Sequence, residues 1–295
     1  MNATVHAKPP PLPRATKSEV QRRKPKILIF VPHADDEIFL AGGLAVRAKK
    51  EIPEITIIAA LMTAGFVPEL ADTRKKEFIS SCELLGMIPK RFNFPLTRNI
   101  RVRDVGSNKP REVTILDPTN DTFIHTVAGV IIKEAPTAII MPHERDWHPD
   151  HCATTSLVNS ALLSLSSKNI PLNLMLLLAR VWHDLSAPNL LVALDKATHL
   201  KKQEALRMHF SQLTSATTGK ERITHNRYGI MLECIDRLSA VIGPEKILGP
   251  SSKDPGIEFA EIYSVSRVFS EGIGAKCSPR IILLNTPLTE DIFVS

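Results

Sequence analysis

The sequence predicts an α/β fold: a single Rossmann-like domain in which helices flank a mostly parallel sheet. Continuous apolar runs, typical of parallel strands buried on both faces, alternate along the chain with segments of helical spacing. Two short clusters of histidines and carboxylates, PHADDE at residues 32–37 and WHPDH at residues 147–151, each come after an apolar run. Because ligands bind at the carboxyl ends of the strands in such sheets, we expect the active site at that edge.

The first 25 residues differ in composition from the rest of the chain. They contain five prolines and almost no large apolar residue, which predicts an extended or disordered tail ahead of one domain at residues 26–295. Residues 1–26 carry seven lysines and arginines against one acid, so they account for the whole net charge of +6. The remaining residues are neutral by the same count, and we expect no nucleic-acid partner.

Composition also bears on location and redox chemistry. No apolar signal-peptide core follows the first methionine, and the longest apolar run, residues 172–181, is too short to span a bilayer. The sequence therefore predicts a soluble, cytoplasmic protein without a membrane span. Its four cysteines are far apart and form no CxxC pair, which argues against a disulfide framework and a thiolate zinc site. Nothing in the sequence indicates the oligomeric state.

The first predicted element is a strand at residues 26–32 (KILIFVP), an aliphatic and β-branched run without polar alternation. The PHADDE cluster begins where this strand ends. Residues 38–50 then have helical spacing and a basic last turn. The first cluster therefore occupies a strand-to-helix loop.

A second buried strand is predicted at residues 54–62, followed by Thr63-Ala64-Gly65. The next helix is expected over residues 72–85, with Gly86 as its stop signal. Residues 101–120 are punctuated by proline, asparagine and glycine, which predicts a long loop that could form part of the rim of the site.

The second half continues the alternation. A helix is predicted at residues 122–133 and a short strand at residues 137–141, and the second cluster lies in the loop after that strand. Residues 172–181 are predicted as another strand and residues 194–210 as a helix. If the strands are parallel neighbours, as repeated crossovers imply, the two cluster-bearing loops open on the same edge and can meet.

The residues within each cluster suit a metal site. His33 and Asp36 are three residues apart at the entry to a helix, and His148 and His151 have the same spacing. Catalytic zinc takes three protein ligands and leaves a position for water, whose pKa falls toward ~7. His33, Asp36 and one histidine of the second pair would meet this requirement. The remaining histidine and carboxylates would then be left for acid–base chemistry.

Each cluster alone has a simpler interpretation. Acids before a helix can cap it and offset its dipole, and a lone His-x-x-His often lies on the surface. Two such clusters at one edge of a predicted parallel sheet favour a catalytic site instead.

The motifs also carry a family resemblance. The chain resembles the LmbE-like, PIG-L-type zinc-dependent amidohydrolases, which are marked by an [AP]-H-x-D-D-E motif after the first strand and a later H-P-D-H. The resemblance extends over about residues 26–268 and includes Thr63-Ala64-Gly65, Arg74-x-x-Glu77 and residues 201–212 (KKQEALRMHFSQ). It implies hydrolysis of the acetamide of an N-acetylglucosamine-type conjugate, which releases acetate and a free amino sugar, with Zn²⁺ as the cofactor.

The resemblance assigns roles to individual residues of the clusters. The implied zinc ligands are His33, Asp36 and His151. Asp35 would be the general base that takes a proton from water, and His148 would be a protonated partner that stabilises the oxyanion and then donates to the leaving amine. Asp150 would orient His148, and we expect this second carboxylate to keep the pKa of His148 raised.

Four further residues are candidates for supporting roles. Arg74 matches an arginine that in the family helps to hold the sugar or its anionic aglycone, although an ion pair with Glu77 on the helix surface is the alternative. Asp146 is a candidate for substrate contact at the rim or for support of a metal ligand. His209 and Gln212 are expected to order the C-terminal helix rather than touch substrate.

Two departures from the family pattern concern the substrate. The family often places an acidic residue soon after the strand that follows the Leu-Gly turn, whereas this chain has none there before Asp104. Some members have a tyrosine just upstream of H-P-D-H, where this chain has Asp146 and Trp147. The residues that would contact the sugar hydroxyls are therefore left open.

The leading hypothesis is a zinc-dependent N-deacetylase that acts on a small amino-sugar conjugate. One alternative is a sugar- or nucleotide-binding protein that keeps the metal motif without turnover, and the presence of Asp35 and His148 argues against it. Another is a metal-dependent phosphoesterase. A two-metal site needs more ligands than the two clusters provide, however, and no Gly-rich phosphate loop is present.

Overall fold

The computed structural model describes residues 24–65, 68–103, 110–213, 224–248, 256–269, 272–276, 280–282, 286–289 and 293. The predicted tail lies outside these ranges except for its last two residues, so the tail and the domain boundary stay predictions. Within the described residues, no helix is both long and apolar enough to cross a membrane.

Strands and helices alternate along most of the described chain. The strands are β1 (Lys26–Val31), β2 (Thr56–Leu61), β3 (Ile88–Arg91), β4 (Arg98–Arg103), β5 (Pro110–Ile115), β6 (Ala138–Pro142), β7 (Asn173–Ala179), β8 (Leu190–Leu194), β9 (Phe259–Phe269), β10 (Gly272–Lys276) and β11 (Arg280–Ile282). The helices are α1 (Asp36–Glu51), α2 (Ala71–Leu85), α3 (Asp121–Glu134), α4 (Pro149–Ser167), α5 (Lys196–Arg207), α6 (Phe210–Leu213) and α7 (Thr224–Leu248).

Nine of the described strands form one sheet, and the predicted α/β fold is confirmed. The strand order is β11-β8-β9-β7-β6-β1-β2-β3, and β10 pairs with β9. The pairs β6–β1, β1–β2, β2–β3 and β7–β6 are parallel, as the crossovers predicted. Strand β9 runs antiparallel to both β7 and β8, so the sheet is mixed on this side.

Helices cover both faces of the sheet. Successive strand residues point to opposite faces, so each strand contributes to two hydrophobic cores. Ile27, Ile29 and Val31 of β1 belong to a hydrophobic core that includes α1, α2 and α5. Leu28 and Phe30 belong to a second core that includes α3 and α4. A strand with both faces buried needs apolar residues at every position, which explains the continuous run in the sequence.

Helix α1 carries a break that a buried carboxylate compensates. Ala41 has non-helical angles (φ −162°, ψ 23°), and the N–H groups of Gly43 and Leu44 donate to the carboxylate of Glu261 on β9 at 2.7 and 2.8 Å. Lys202 on α5 forms a 2.8 Å ion pair with the same carboxylate. Glycine is required at position 43 because a Cβ there would lie 2.5 Å from Leu194. This arrangement fixes the helix that begins with Asp36.

The topology brings the two predicted clusters together. Strands β1 and β6 are parallel neighbours, so the loops that follow them leave the sheet side by side at its carboxyl edge. The first cluster spans the loop after β1 and the first two residues of α1, and the second spans the end of the loop after β6 and the first three residues of α4. This confirms the expected meeting of the loops.

Two segments differ from the sequence-based prediction. Residues 101–120 were expected to form a long loop, but 101–103 and 110–115 belong to the β4–β5 hairpin, whose Ile100 and Val113 pack against the second core; residues 104–109 lie outside the described residues, and 116–120 are loop as expected. The helix predicted at residues 194–210 is shorter, because Leu194 ends β8 and α5 stops at Arg207. The first segment does carry a short strand-like alternation, Ile100 with Val102 and Val113 with Ile115, which the loop prediction overlooked.

Candidate metal centre

The loop after β1 is a tight turn that presents three acidic side chains. The backbone N–H of His33 donates to Asp36 Oδ2 at 3.0 Å, and the N–H of Asp36 donates to the carbonyl of His33 at 3.2 Å. Asp35 has a φ of 112°, a conformation that non-glycine residues rarely adopt. The turn therefore directs consecutive side chains in different directions at the mouth of α1.

Three of the predicted residues surround one point at the carboxyl edge of the sheet. Asp36 Oδ2 lies 3.3 Å from His33 Nδ1 and 3.1 Å from His151 Nε2. All three side chains are largely buried. The two imidazole nitrogens and the carboxylate oxygen thus face one another, as the ligands of one cation do.

A further carboxylate lies against the other nitrogen of each imidazole. His33 Nε2 is 2.9 Å from Asp150 Oδ2, and His151 Nδ1 is 3.2 Å from Asp146 Oδ1. A metal-binding histidine commonly has such a partner, which fixes the ring and its tautomer. The arrangement therefore leaves His33 Nδ1 and His151 Nε2 as the nitrogens available to a metal.

The surroundings of His151 also fit a metal. Its two ring nitrogens are buried and have no hydrogen-bond partner among the described residues, although the carboxylates of Asp36 and Asp146 lie 3.1 and 3.2 Å away. Buried polar atoms are normally satisfied. A cation between His151 Nε2 and Asp36 Oδ2 would give this nitrogen a partner and bind the carboxylate oxygen as well.

His148 lies beside this group and caps α4. Its Nδ1 accepts a hydrogen bond from the N–H of Asp150 at 3.3 Å, and Pro149 occupies the first helical position, where no N–H is needed. The rings of His33 and His148 are 4.7 Å apart between centroids. One nitrogen from each of His33, His148 and His151 can be chosen so that all three lie within 4.8 Å of one another, so His148 also lies within range of a bound metal.

The charges at the centre are arranged for a cation. Burial opposes a charge on His33, but hydrogen bonds with Asp150 and Asp36 outweigh it and raise the pKa of His33 to about 9. Burial likewise opposes a charge on His151, but Asp36 and Asp146 raise its pKa to about 10. Burial also works against the carboxylate of Asp36, yet the two imidazoles hold its pKa well below the usual range. Without a metal, the protons on His33 and His151 offset the negative charge of the neighbouring carboxylates. A divalent cation can take the place of these two protons.

The pKa of His148 shifts in the direction opposite to the expected one. Burial lowers it to about 4, and the positive charges of His33 and His151 add to this effect. Asp150 does raise the pKa of His148, as expected, but burial and the two imidazoles outweigh it; the Asp150 carboxylate is bonded to His33 and accepts from the N–H of Leu116 at 2.8 Å. His148 is therefore neutral near pH 7.

Asp35 is buried beside the metal-binding group. Burial raises its pKa to about 8, and the neighbouring carboxylate of Asp36 contributes in the same direction. Its backbone N–H donates to Glu37 Oε2 at 3.0 Å. A carboxylate with a pKa near neutrality can both accept and release a proton under physiological conditions.

The two candidates for substrate contact occupy different environments. Asp146 is buried below His151 and accepts from the N–H groups of His148 and Trp182, both at 3.0 Å, so its geometry suits support of a ligand. Arg74 lies over Gly65, whose φ of +85° and missing Cβ leave room for the guanidinium. The sequence-based roles of both residues stay predictions.

A groove of about 770 Å³ adjoins the centre. Its position follows from two contacts: the N–H of Thr63 donates to the carbonyl of Pro32 at 3.3 Å, and Leu116, just beyond β5, is bound by Asp150. The residues that line the groove are Thr63, Ala64, Gly65, Lys75, Asn93, Phe94, Pro95, Leu96, Glu112, Val113 and Thr114. The groove therefore runs from the end of β2 to the β4–β5 hairpin.

Several residues at the site were not singled out from the sequence. Glu37, the last residue of the first motif, is buried and accepts a 2.6 Å hydrogen bond from Ser81. Glu112 reaches the groove from a hairpin that the sequence did not predict. Trp147, next to His148, is 75% exposed. Only the motif itself could have pointed to Glu37, and no sequence signal indicated Glu112.

Comparison with known proteins gives consistent results. Residues 28–162 match the family described as PIG-L: GlcNAc-PI de-N-acetylase. A curated relative, a probable N-acetyl-alpha-D-glucosaminyl L-malate deacetylase 2 from Bacillus subtilis, is 24% identical over 211 residues, which cover 70% of this chain and 92% of the relative.

Solved structures share the fold at lower identity. The N,N'-diacetylchitobiose deacetylase of Pyrococcus horikoshii has a TM-score of 0.55 at 22% identity, covering 81% of this chain and 83% of that one. GalB, a 4-carboxy-2-hydroxymuconate hydratase from Pseudomonas putida, has a TM-score of 0.56 at 12% identity, covering 82% and 95%. The fold thus occurs with two different reactions, so the reaction must be argued from the site.

Proposed function

Because this chain carries a domain of the PIG-L (LmbE-like) family of GlcNAc deacetylases, we propose that it hydrolyses the acetamide of an N-acetylglucosamine-type conjugate with the help of zinc. The observation that carries the proposal is the position of Asp36 Oδ2 between His33 Nδ1 and His151 Nε2, with a carboxylate behind each imidazole. Zinc prefers such nitrogen and oxygen donors and takes three protein ligands in catalytic sites.

His33, Asp36 and His151 would hold the metal. When bound, zinc would polarise the amide carbonyl and lower the pKa of water. The hydrogen bond to Asp150 favours a proton on His33 Nε2, and the charge of Asp146 beside His151 favours a proton on its Nδ1, so each imidazole presents its other nitrogen to the cation. Among the described residues, the one group of three close metal-binding side chains is His33, His148 and His151, which shares two histidines with the proposed ligand set; a single group favours one metal over the paired metals of a phosphoesterase.

Asp35 is the proposed general base. Its carboxylate takes the proton from the attacking water, and the resulting carboxylic acid returns that proton to the leaving nitrogen. Because its pKa is raised to about 8, the ionised form of Asp35 is a stronger base than a solvated aspartate, and the protonated form is stable enough to carry the proton to the nitrogen. The water oxygen bonds to the acyl carbon, the C–N bond breaks, and the nitrogen receives the proton held by Asp35. The acetic acid so formed passes its remaining proton to the amine or to solvent, which leaves acetate, the amino sugar and ionised Asp35.

His148 is the proposed donor to the oxyanion. Its Nδ1 accepts from the N–H of Asp150, so the single proton of the neutral ring is carried by Nε2. The cap position at the N-terminus of α4 and the burial both keep the ring neutral. The neutral imidazole can therefore donate a hydrogen bond from Nε2 to the developing oxyanion without first being protonated.

The groove is the proposed site for the rest of the conjugate. Asn93, Glu112 and Thr114 offer polar groups for sugar hydroxyls, and Phe94 and Leu96 offer apolar contact for the faces of a sugar ring. Glu112 would supply the acidic contact that the sequence lacks at the usual family position. A small amino-sugar conjugate is the substrate class that this lining favours.

The proposal is tested by metal content and acetate release. Purified protein should contain about one zinc per chain, and His33→Ala should lose it. The zinc-loaded protein should release acetate from at least one of N-acetylglucosamine, N,N'-diacetylchitobiose and N-acetylglucosaminyl malate. Asp35→Asn should keep the metal but reduce turnover by orders of magnitude, since asparagine tolerates a positive φ but cannot accept the proton. Absence of acetate from every compound, at full zinc loading, would reject the proposed activity.

A further inference from the structure

The peptide group between Ala34 and Asp35 is held on both sides. Its carbonyl, on Ala34, accepts a short hydrogen bond from Gln212 Nε2 on α6. Its N–H, on Asp35, donates to Glu37 Oε2 at 3.0 Å. This is the peptide that turns the chain into the left-handed conformation of Asp35, where a non-glycine residue is strained.

The Glu37 carboxylate is itself fixed by distant residues. It is fully buried, and its Oε1 accepts a 2.6 Å hydrogen bond from Ser81 on α2 and lies 2.7 Å from His209 Nε2. His209 precedes α6, so the segment 209–212 reaches the first motif at both ends: through His209 to Glu37 and through Gln212 to Ala34.

The segment 209–212 is anchored independently of the motif. The N–H and the hydroxyl of Ser211 both donate to the carboxylate of Glu77 on α2, each at 2.6 Å. Glu77 thus pairs with α6 in the structure, rather than with Arg74 as in the surface alternative. Helix α2 provides a rigid support on which the segment meets the turn at Asp35.

We propose that Gln212 and His209 are positioning residues that hold Asp35 in its strained conformation and so aim its carboxylate at the reacting atoms. This inference rests on the proposed role of Asp35 as general base. Without the donor of Gln212, the carbonyl of Ala34 loses its partner and the peptide is held only through the N–H of Asp35, so it can tilt and turn the side chain of Asp35 away from the reacting atoms. The ligands His33 and Asp36 have their own hydrogen bonds to each other and keep their places.

The sharpest test compares Gln212→Met with Gln203→Met. Methionine has the length and volume of glutamine but no donor. Gln203 is half-buried like Gln212 and contacts His199 on α5, away from the motif, which makes its variant a matched control. We expect Gln212→Met to lower kcat about 10- to 100-fold, because a small misplacement of a catalytic group has effects of this size. Its KM and zinc affinity should stay within twofold of the wild type, and Gln203→Met should match the wild type in every measurement.

A second measurement does not depend on turnover. Hydrogen–deuterium exchange of the zinc-loaded protein reports on the Asp35 amide, which Glu37 protects. Exchange in a peptide covering residues 33–37 should be about 10-fold or more faster in Gln212→Met and unchanged in Gln203→Met. His209→Gln, which keeps a side-chain donor for Glu37, should retain most of kcat, whereas His209→Leu should not.

The outcomes separate the two proposals. If the wild-type protein releases acetate and Gln212→Met keeps its kcat and its exchange rate, the positioning role is wrong and the proposed activity stands. If the wild-type protein releases no acetate, the proposed activity fails, and the exchange experiment still tests whether the segment 209–212 holds the turn. A parallel loss of zinc affinity in Gln212→Met would also overturn the inference, because it would show a general disturbance of the centre.

Discussion

Replacing Asp146 by asparagine should weaken zinc binding without touching a metal ligand. The carboxylate of Asp146 has three neighbours: His151 Nδ1 at 3.2 Å and the N–H groups of His148 and Trp182, both at 3.0 Å. Oδ1 contacts His151 Nδ1 and accepts from the N–H of His148, and Oδ2 accepts from the N–H of Trp182. Asparagine keeps the shape but has one acceptor oxygen and no charge.

The size of the effect follows from these contacts. If the amide oxygen of the introduced asparagine takes the place of Oδ1, its NH₂ group faces the N–H of Trp182, and two donors oppose each other. If it takes the place of Oδ2, the NH₂ group faces both His148 and His151. Either orientation leaves His151 without an anionic partner. Loss of such a partner commonly costs 10- to 100-fold in metal affinity, or about 1.4–2.8 kcal/mol.

The assay is a competition titration of metal-stripped protein with zinc against a chromogenic chelator at constant pH. Asp195→Asn is the matched control, because Asp195 caps α5 by accepting from the N–H of Thr198 at 2.7 Å, and asparagine is an equally good cap. The control should bind zinc like the wild type. A zinc Kd for Asp146→Asn within twofold of the wild-type value would refute the supporting role of this carboxylate.

Three further predictions concern protons, the oxyanion and stability. Zinc binds neutral imidazoles, and His33 and His151 have raised pKa values of about 9 and 10; binding at pH 7 should therefore release about two protons, and affinity should rise with pH until about pH 10, which titration calorimetry in buffers of different ionisation enthalpy can measure. His148→Phe should reduce kcat by roughly 10²- to 10³-fold while zinc content, measured by atomic emission, is retained; loss of the zinc would instead identify His148 as a ligand. Glu261→Gln should lower the free energy of unfolding by about 2–3 kcal/mol in urea titrations, since it removes a charged acceptor from two N–H groups of α1 and from Lys202, and an unchanged midpoint would contradict this.

The sequence predicted the parts of the molecule whose signals are local. The continuous apolar run at β1 can only be satisfied by a strand buried on both faces, and the two motifs lie at the ends of neighbouring parallel strands as expected. Gly86 ends α2 with a φ of +75°, a conformation that glycine adopts without strain. These features depend on residues close together in the chain.

The parts that were missed depend on contacts between distant residues. Strand β9 lies between β7 and β8, and nothing in its own sequence states that it runs antiparallel to both. Ile100 and Val113 of the β4–β5 hairpin pack against the second hydrophobic core and stabilise the hairpin. The surrounding prolines, asparagines and glycines are typical of a loop. Glu112 reaches the groove only as a result of that packing.

The three consecutive acids of the first motif show the same limit within the site. Asp36 faces two imidazoles, and its pKa is held low, so it is suited to a cation. Asp35 is buried next to that charge, and its pKa is raised to about 8, so it is suited to proton transfer. Glu37 is turned away from both toward Ser81 and His209, where it fixes the backbone. Adjacent carboxylates acquire different chemistry from different surroundings, and those of Glu37 are supplied by residues 44 and 172 positions away. A motif can therefore identify a catalytic loop, whereas the division of work among its residues follows from the partners that the fold brings to each one.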